Sequence, residues 1–196
     1  PWAVMDTNGT TAGGTPTVIN GAGGNNMFIY TSPSMGGATF TAAYQNHGAD
    51  AAESYTDFSL VVAPEGIDGL TFGFGSADHT INATVDVEET TMFATYAMGG
   101  LTVGIQVSEA DSTAVNGDLE STGFGISYQV SDDLAVSYGN HEIDYATNDD
   151  QEAYAVGVSY TMGSIGLSGT FNSVDNVSNV NASDLQSYEL GVSFAF

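Results

Sequence analysis

Ser187-Tyr188-Glu189-Leu190-Gly191-Val192-Ser193-Phe194-Ala195-Phe196 alternates without a break. Tyr188, Leu190, Val192, Phe194 and Phe196 fall on one side of an extended chain, and Ser187, Glu189, Gly191, Ser193 and Ala195 on the other. That is the period-two pattern of a strand with one apolar face. The same alternation sets Leu101, Val103, Ile105 and Val107 against Thr102, Gly104, Gln106 and Ser108. It recurs in Phe124, Ile126, Tyr128 and Val130, in Tyr154, Val156, Val158 and Tyr160, and more briefly in Phe40, Ala42, Tyr44 and in Leu70, Phe72, Phe74. The pattern predicts strands over 25–32, 37–47, 54–63, 70–79, 89–98, 101–109, 121–130, 134–145, 152–162, 165–174 and 187–196. Most approach the 9–11 residues with which a tilted strand crosses a bilayer. The expected class is all-β, a transmembrane antiparallel β-barrel.

Connections alternate in character. Ser32–Gly37, Pro64–Gly69, Gly99-Gly100, Ser131–Asp133 and Gly163-Ser164 carry the Gly, Pro, Asp and Ser of short turns. Links near 48–53, 80–88, 110–120, 146–151 and 175–186 read as longer and more acidic. Short turns at one end and long loops at the other describe an outer-membrane barrel. The faces agree. A small soluble barrel would put large branched residues inside and charge outside, whereas here the non-apolar face is Gly, Ser, Thr, Ala and Gln, which suits a wet lumen. Tyr30, Tyr44, Tyr96, Tyr128, Tyr138, Tyr154, Tyr160 and Phe196 lie on the apolar face near strand ends, as an aromatic girdle does.

Composition narrows function by exclusion. The 196 residues hold 24 Asp and Glu, no Lys or Arg, and a formal charge of -24. Nucleic-acid binding needs cations to replace phosphate counterions, and the chain has only three His. A P-loop, a Schiff-base lysine and a bidentate anion site are equally excluded. No Cys means no thiol nucleophile, thiolate zinc site or disulfide framework. Apolar residues at 42% argue against a disordered acidic tail. Pro1-Trp2-Ala3-Val4 lacks the basic and apolar regions of a signal peptide.

The terminal strand ending in Phe196 resembles the last strand of the general porins of Gram-negative bacteria. Asn26–Pro33 followed by Gly37–Tyr44 resembles the hairpin just after that family's constriction loop. The resemblance implies a sixteen-stranded, trimeric barrel in the outer membrane. Residues 1–24 would then be the distal part of the pore constriction loop, and residues 25–196 strands six to sixteen. Short turns would be periplasmic and long acidic loops extracellular. The implied partners are outer-membrane lipid and lipopolysaccharide, two further copies of the chain, and amino-terminal strands of the same protein missing from this sequence. An odd strand count and a start inside a loop fit that expectation, since bacterial single-chain barrels use even numbers.

The expected activity is passive diffusion of small hydrophilic solutes, with carboxylates favouring cations. Asp6 is an eyelet candidate on the inferred constriction loop, or equally a turn-capping acid. Asp57 and Glu189 fall on the lumen face as wall charges, or as solvated polar residues without a special role. His47, His79 and His141 take lumen parity at the ends of non-adjacent strands, so isolated pore-lining His fits them better than a metal cluster. No cofactor is required. Ca2+ or Mg2+ could offset loop carboxylates such as Glu88, Glu89, Asp149 and Asp150, although no EF-hand spacing is present. There is no G-x-S-x-G elbow, and catalysis is not expected. Two other readings stay open: a secreted, acidic, calcium-dependent β-sandwich of matrix or adhesin type, and a closed twelve-stranded membrane enzyme or transporter using Pro16–Asn20 as an extra strand.

Overall fold

The structure, a computed structural model, describes residues 27–46, 53–147 and 149–195. Eleven strands run β1 Met27–Thr31, β2 Ala38–Asn46, β3 Ser54–Val62, β4 Leu70–Asn82, β5 Val85–Met98, β6 Leu101–Ser112, β7 Leu119–Gln129, β8 Leu134–Tyr145, β9 Gln151–Met162, β10 Ile165–Asp175 and β11 Leu185–Phe194. They form one antiparallel sheet in sequence order, each strand hydrogen-bonded to the next. A sandwich needs two packed sheets, and the described residues make one. The extra strand of the twelve-stranded reading falls at 16–20, outside the described residues. Among the described residues, β1 and β11 each pair on one side only.

Each hairpin is set by its turn chemistry. Between β1 and β2, Met35 and Ala38 exchange backbone hydrogen bonds of 2.8 and 3.1 Å around Gly36 (φ 60°) and Gly37 (φ 83°). Two consecutive left-handed residues give the tight reverse turn that matches strand twist. At Gly37 a Cβ would stand only 1.9 Å from the Ala63 carbonyl oxygen, so no other residue fits without moving the β2–β3 edge.

Register places side chains face by face, because directly opposite residues share a face. One outward row runs Leu70, Tyr96, Val103, Ile126, Tyr138, Val156, Phe171, Tyr188, apolar across β4 to β11. The adjoining inward row runs Thr71, Thr95, Gly104, Gly125, Gly139, Ala155, Asn172, Ser187. Large apolar groups therefore stand outside and small or polar ones inside, the arrangement of a strand between lipid and a wet lumen. On β11, Tyr188, Leu190, Val192 and Phe194 are 59–91% exposed, while Glu189 is half-buried on the opposite face.

The strands are longer than the alternation predicts at the acidic end. β4 and β5 extend to Asn82 and from Val85, so the link expected over 80–88 is closed by Ala83 and Thr84 alone. There Asn82 Oδ1 accepts from the Thr84 N–H (3.0 Å) and hydroxyl (2.9 Å). β6 likewise continues to Ser112, and β7 and β11 start two residues early. The cause is a reversal of polarity along the strand. Above the lipid-facing band the outward positions become Asn140, Glu142 and Asp144 on β8, while Ile143 turns inward and is almost fully buried. An alternation whose apolar side switches face reads as an acidic loop.

Val158 and Ser159 offer a test of the faces. Val158 points outward between Tyr154 and Tyr160, and Ser159 points inward. Val158→Arg should cost about 2–4 kcal/mol in urea unfolding of the lipid-inserted protein. Ser159→Arg should leave stability nearly unchanged, and equal costs at both positions would contradict the two-sided wall.

Candidate functional site

The inward face is where chemistry can meet solute, and its polar groups are tied to one another. Thr91 and Ser108 hydroxyls lie 2.7 Å apart, and Gln106 Nε2 donates to Ser108 Oγ at 3.2 Å. Asn172 Nδ2 donates to Ser187 Oγ at 3.3 Å. His141, expected as an isolated pore-lining residue, points inward but is 3% exposed, with Nε2 2.9 Å from Ser121 Oγ. It is a buried wall group rather than an open-lumen one, because the polarity reversal makes the upper inner face a packed region.

Around His79 several functional groups converge. His79 Nε2 lies 3.8 Å from Glu53 Oε1, and its ring meets Tyr55 edge-on with centroids 5.6 Å apart. Gln45, Tyr55 and His79 are directly opposite neighbours across β2, β3 and β4. Asp57 and Glu89 occupy the next inward row, separated by Ala77. Glu189 stands on the same face but at the far edge of the sheet, opposite Thr170, and joins none of these. Asp6 and His47 lie outside the described residues. Phe93 also faces inward, lying against Gly73, where a Cβ would sit 2.4 Å from the ring. An aromatic covering a cross-strand glycine protects the exposed backbone.

The four carboxylates expected at loops behave differently. Glu88 and Glu89 are strand neighbours on opposite faces, so one ion cannot bridge them. Asp149 Oδ2 accepts from Asn181 Nδ2 at 2.7 Å, which ties the link after β8 to the one after β10, while Asp150 Oδ1 accepts from the Tyr145 N–H at 3.3 Å within its own link. Among the described residues no three His, Asp or Glu side chains converge to hold a metal ion.

A family model described as Gram-negative porin matches residues 1–196. The chain belongs to the Gram-negative porin family. As such a porin it resides in the outer membrane. An anion-selective porin from Comamonas acidovorans has a similar structure over 88% of this chain and 60% of its own length, at 16% identity and TM-score 0.73. The outer-membrane protein OmpT of Vibrio cholerae matches over 87% of this chain and 64% of its own, at 14% identity and TM-score 0.64. The chain thus spans about 60% of the length of the first of these porins. At such identities the likeness speaks to fold: the eleven-stranded sheet is porin barrel wall. No curated protein sequence matches the chain significantly.

What sequence reasoning missed in this porin is the pairing of carboxylates. Nine stand directly opposite one another on the outward face above the lipid band: Asp78–Glu88–Asp111, Glu109–Glu120–Asp144 and Glu142–Glu152–Asp175. Five acids (Glu109, Asp111, Asp118, Glu120, Asp144) border an open cavity of about 290 Å³. Like charges face to face destabilise a sheet. At Glu142, beyond the membrane-spanning part of β8, the pKa is raised chiefly by Asp144 two residues along the same strand, then by partial desolvation, the cross-strand Glu152 and Asp150. Glu53 was also legible only as a loop acid. Its parity with Tyr55 and Asp57 was the available signal, but its partner His79 required the β3–β4 register.

A carboxyl group whose folded pKa is raised weakens the fold when ionised, and the penalty is relieved as pH falls from the folded toward the unfolded value. Acidification from neutral into the carboxylate range should therefore raise the detergent-solution melting temperature. Glu142→Gln should give a small rise at neutral pH and reduce the gain on acidification. A lower melting temperature for this variant at neutral pH would mean that Glu142 has a stabilising partner instead.

Proposed function

We propose that this porin wall encloses a water-filled path for passive diffusion of small hydrophilic solutes, with a preference for cations. The observation that carries this reading is the inward face itself: small polar rows bearing Asp57, Glu89 and Glu189, in a sequence without one Lys or Arg. Fixed carboxylates raise the local concentration of cations and lower that of anions. The Comamonas acidovorans porin is described as anion-selective, so the charge on this wall argues for the opposite preference within one fold. No catalytic step is part of the proposal. The Ser121–His141 contact is buried on both sides, which suits wall packing rather than attack on a substrate.

A homotrimer fits the same reading, and a trimer form is described for the Vibrio cholerae protein. We further propose that residues 1–24 contribute to the constriction, and that the eleven strands correspond to strands six to sixteen of a sixteen-stranded barrel. At the outer surface, Ca2+ or Mg2+ shared between the outward carboxylates and anionic lipopolysaccharide offsets their repulsion. Such ions would be held diffusely, since no described group of three acids forms a chelate.

Reversal potentials across planar bilayers in a potassium chloride gradient test the selectivity. The sign expected is that of potassium permeating faster than chloride. Asp57→Asn with Glu89→Gln should reduce the ratio. A chloride-selective wild-type pore would show that these acids do not govern permeation.

A further inference from the structure

We propose that Met35, Met98 and Met162 are reversible oxidation sites at the turn end of the wall, taking oxygen from a hypohalous acid while the pore stays open. The three share one structural position. Met35-Gly36-Gly37, Met98-Gly99-Gly100 and Met162-Gly163-Ser164 make the β1–β2, β5–β6 and β9–β10 turns, every second turn at that end. The glycine after each Met has φ 60°, 58° and 61°. All three side chains face outward. Met98 and Met162 follow Tyr96 and Tyr160 by two residues, and Met35 is bridged to Ala38, two residues before Phe40 on the same face. At the intervening turns the last outward residue is Val62 or Val130, so an apolar surface there does not by itself call for a thioether.

Depth along the strand, not exposure, sets these three apart. Met35, Met98 and Met162 are 68, 59 and 56% exposed, and Met92, on the same face of β5, is 58% exposed. Met92, however, stands midway between Tyr96 and Glu88, opposite Phe74 and Val107, inside the lipid band. The chemistry separates the two settings. The Met sulfur attacks the chlorine of hypochlorous acid and expels hydroxide, leaving a chlorosulfonium cation. Water then adds its oxygen to sulfur, chloride leaves, and two protons are released, one of which neutralises the hydroxide. Sulfur is oxidised by two electrons and chlorine is reduced to chloride. The step needs water and a transient cation. Hydrocarbon supplies no water and disfavours the charge, whereas the rim beyond the tyrosines is wet. A polar sulfoxide disrupts a packed apolar setting but is tolerated where water already reaches. A soft metal ion does not explain the thioethers, since turns four strands apart lie roughly 19 Å from one another.

The test uses the protein purified from the outer membrane and reconstituted in vesicles of saturated phosphatidylcholine, which offers the acid no double bond or amine. After brief exposure to hypochlorous acid, chymotryptic peptides are read by mass spectrometry, since trypsin finds no Lys or Arg in these 196 residues. Each rim methionine should gain one oxygen at least about ten times faster than Met92, a lower bound for forming the cation outside hydrocarbon. In denaturant all four should react alike. Equal rates at the rim and at Met92 in vesicles overturn the proposal. The two methionine sulfoxide reductases, one for each epimer, should return the rim residues to thioethers. Sulfoxides at Met35, Met98 and Met162 that resist both enzymes overturn the reversibility. The open-pore clause rests on the water-filled path proposed above, and planar-bilayer recordings keep the two apart. Untreated protein without conductance removes that path, whereas conductance lost only on rim oxidation removes this inference.

Discussion

Inside lipid no water can satisfy a backbone N–H or C=O, so every spanning strand must find its partners in the strands beside it. That constraint organises the molecule. It explains why eleven consecutive strands pair strictly with their sequence neighbours, because short hairpin links are the quickest way to give each new strand a ladder. It also explains the turn residues. A two-residue reversal at Gly36-Gly37 keeps β1 and β2 in register to the end of their pairing, with Thr31 opposite Thr41. The edges show the constraint from the other side. Tyr188 and Leu190 on β11, and Phe28 on β1, are the most exposed aromatic or Leu side chains of the strands, at 71–91%, and among the described residues each of these two strands is paired on one flank only.

With the backbone satisfied laterally, side chains are free to answer to their surroundings, and those surroundings change along each strand. In the lipid band the outside is apolar and the inside small. Gly104, Gly125 and Gly139 lie in one inward row, which keeps wall side chains from narrowing the lumen. Higher up, water replaces lipid outside, and Glu142 and Asp144 take the outward positions. Ile143, Ala110 and Val174 then pack inward as the core of an ordinary water-exposed sheet. One continuous ladder therefore carries two opposite solvation patterns, joined where Tyr138, Tyr154, Phe171 and Tyr188 mark the boundary; Phe171 packs against Tyr188 with ring centroids 4.9 Å apart and planes tilted by 43°.

The spanning portions were legible because a single rule, alternation, covers them: the sets containing Leu101, Phe124, Tyr154 and Tyr188 all take the faces their parity assigns. The strand ends were not. Val85 and Val87 continue the alternation of β5, but with the apolar side now inward and Asp86 and Glu88 outward, so a fixed-face reading stops near Glu88. Parity also put Asp57, Glu189, His79 and His141 on the inner face, and the structure has them there. What parity cannot supply is the neighbour across the strand. That His79 meets Glu53 and Tyr55, while Glu189 stands apart, depends on the register fixed by the Pro64–Gly69 turn. The burial of His141 depends in turn on the polarity reversal.

The distribution of acids follows from dielectric. Two like charges at 4 Å repel by about 1 kcal/mol in water but by about 4 kcal/mol at an effective dielectric of 20. A chain with 24 carboxylates and no internal cation lowers its self-repulsion by placing most of them where water and salt screen best. The outward rows above the lipid band are such a place, which is how Asp78, Glu88 and Asp111 can stand directly opposite one another at all. Carboxylates on the inner wall lack that relief. Asp57, Glu89 and Glu189 are each half-buried rather than fully exposed, so their fields are less screened and reach further into the lumen. On the cation-preferring reading proposed above, the few inward acids weigh more on permeating ions than the many outward ones, so net charge alone is a poor guide to selectivity.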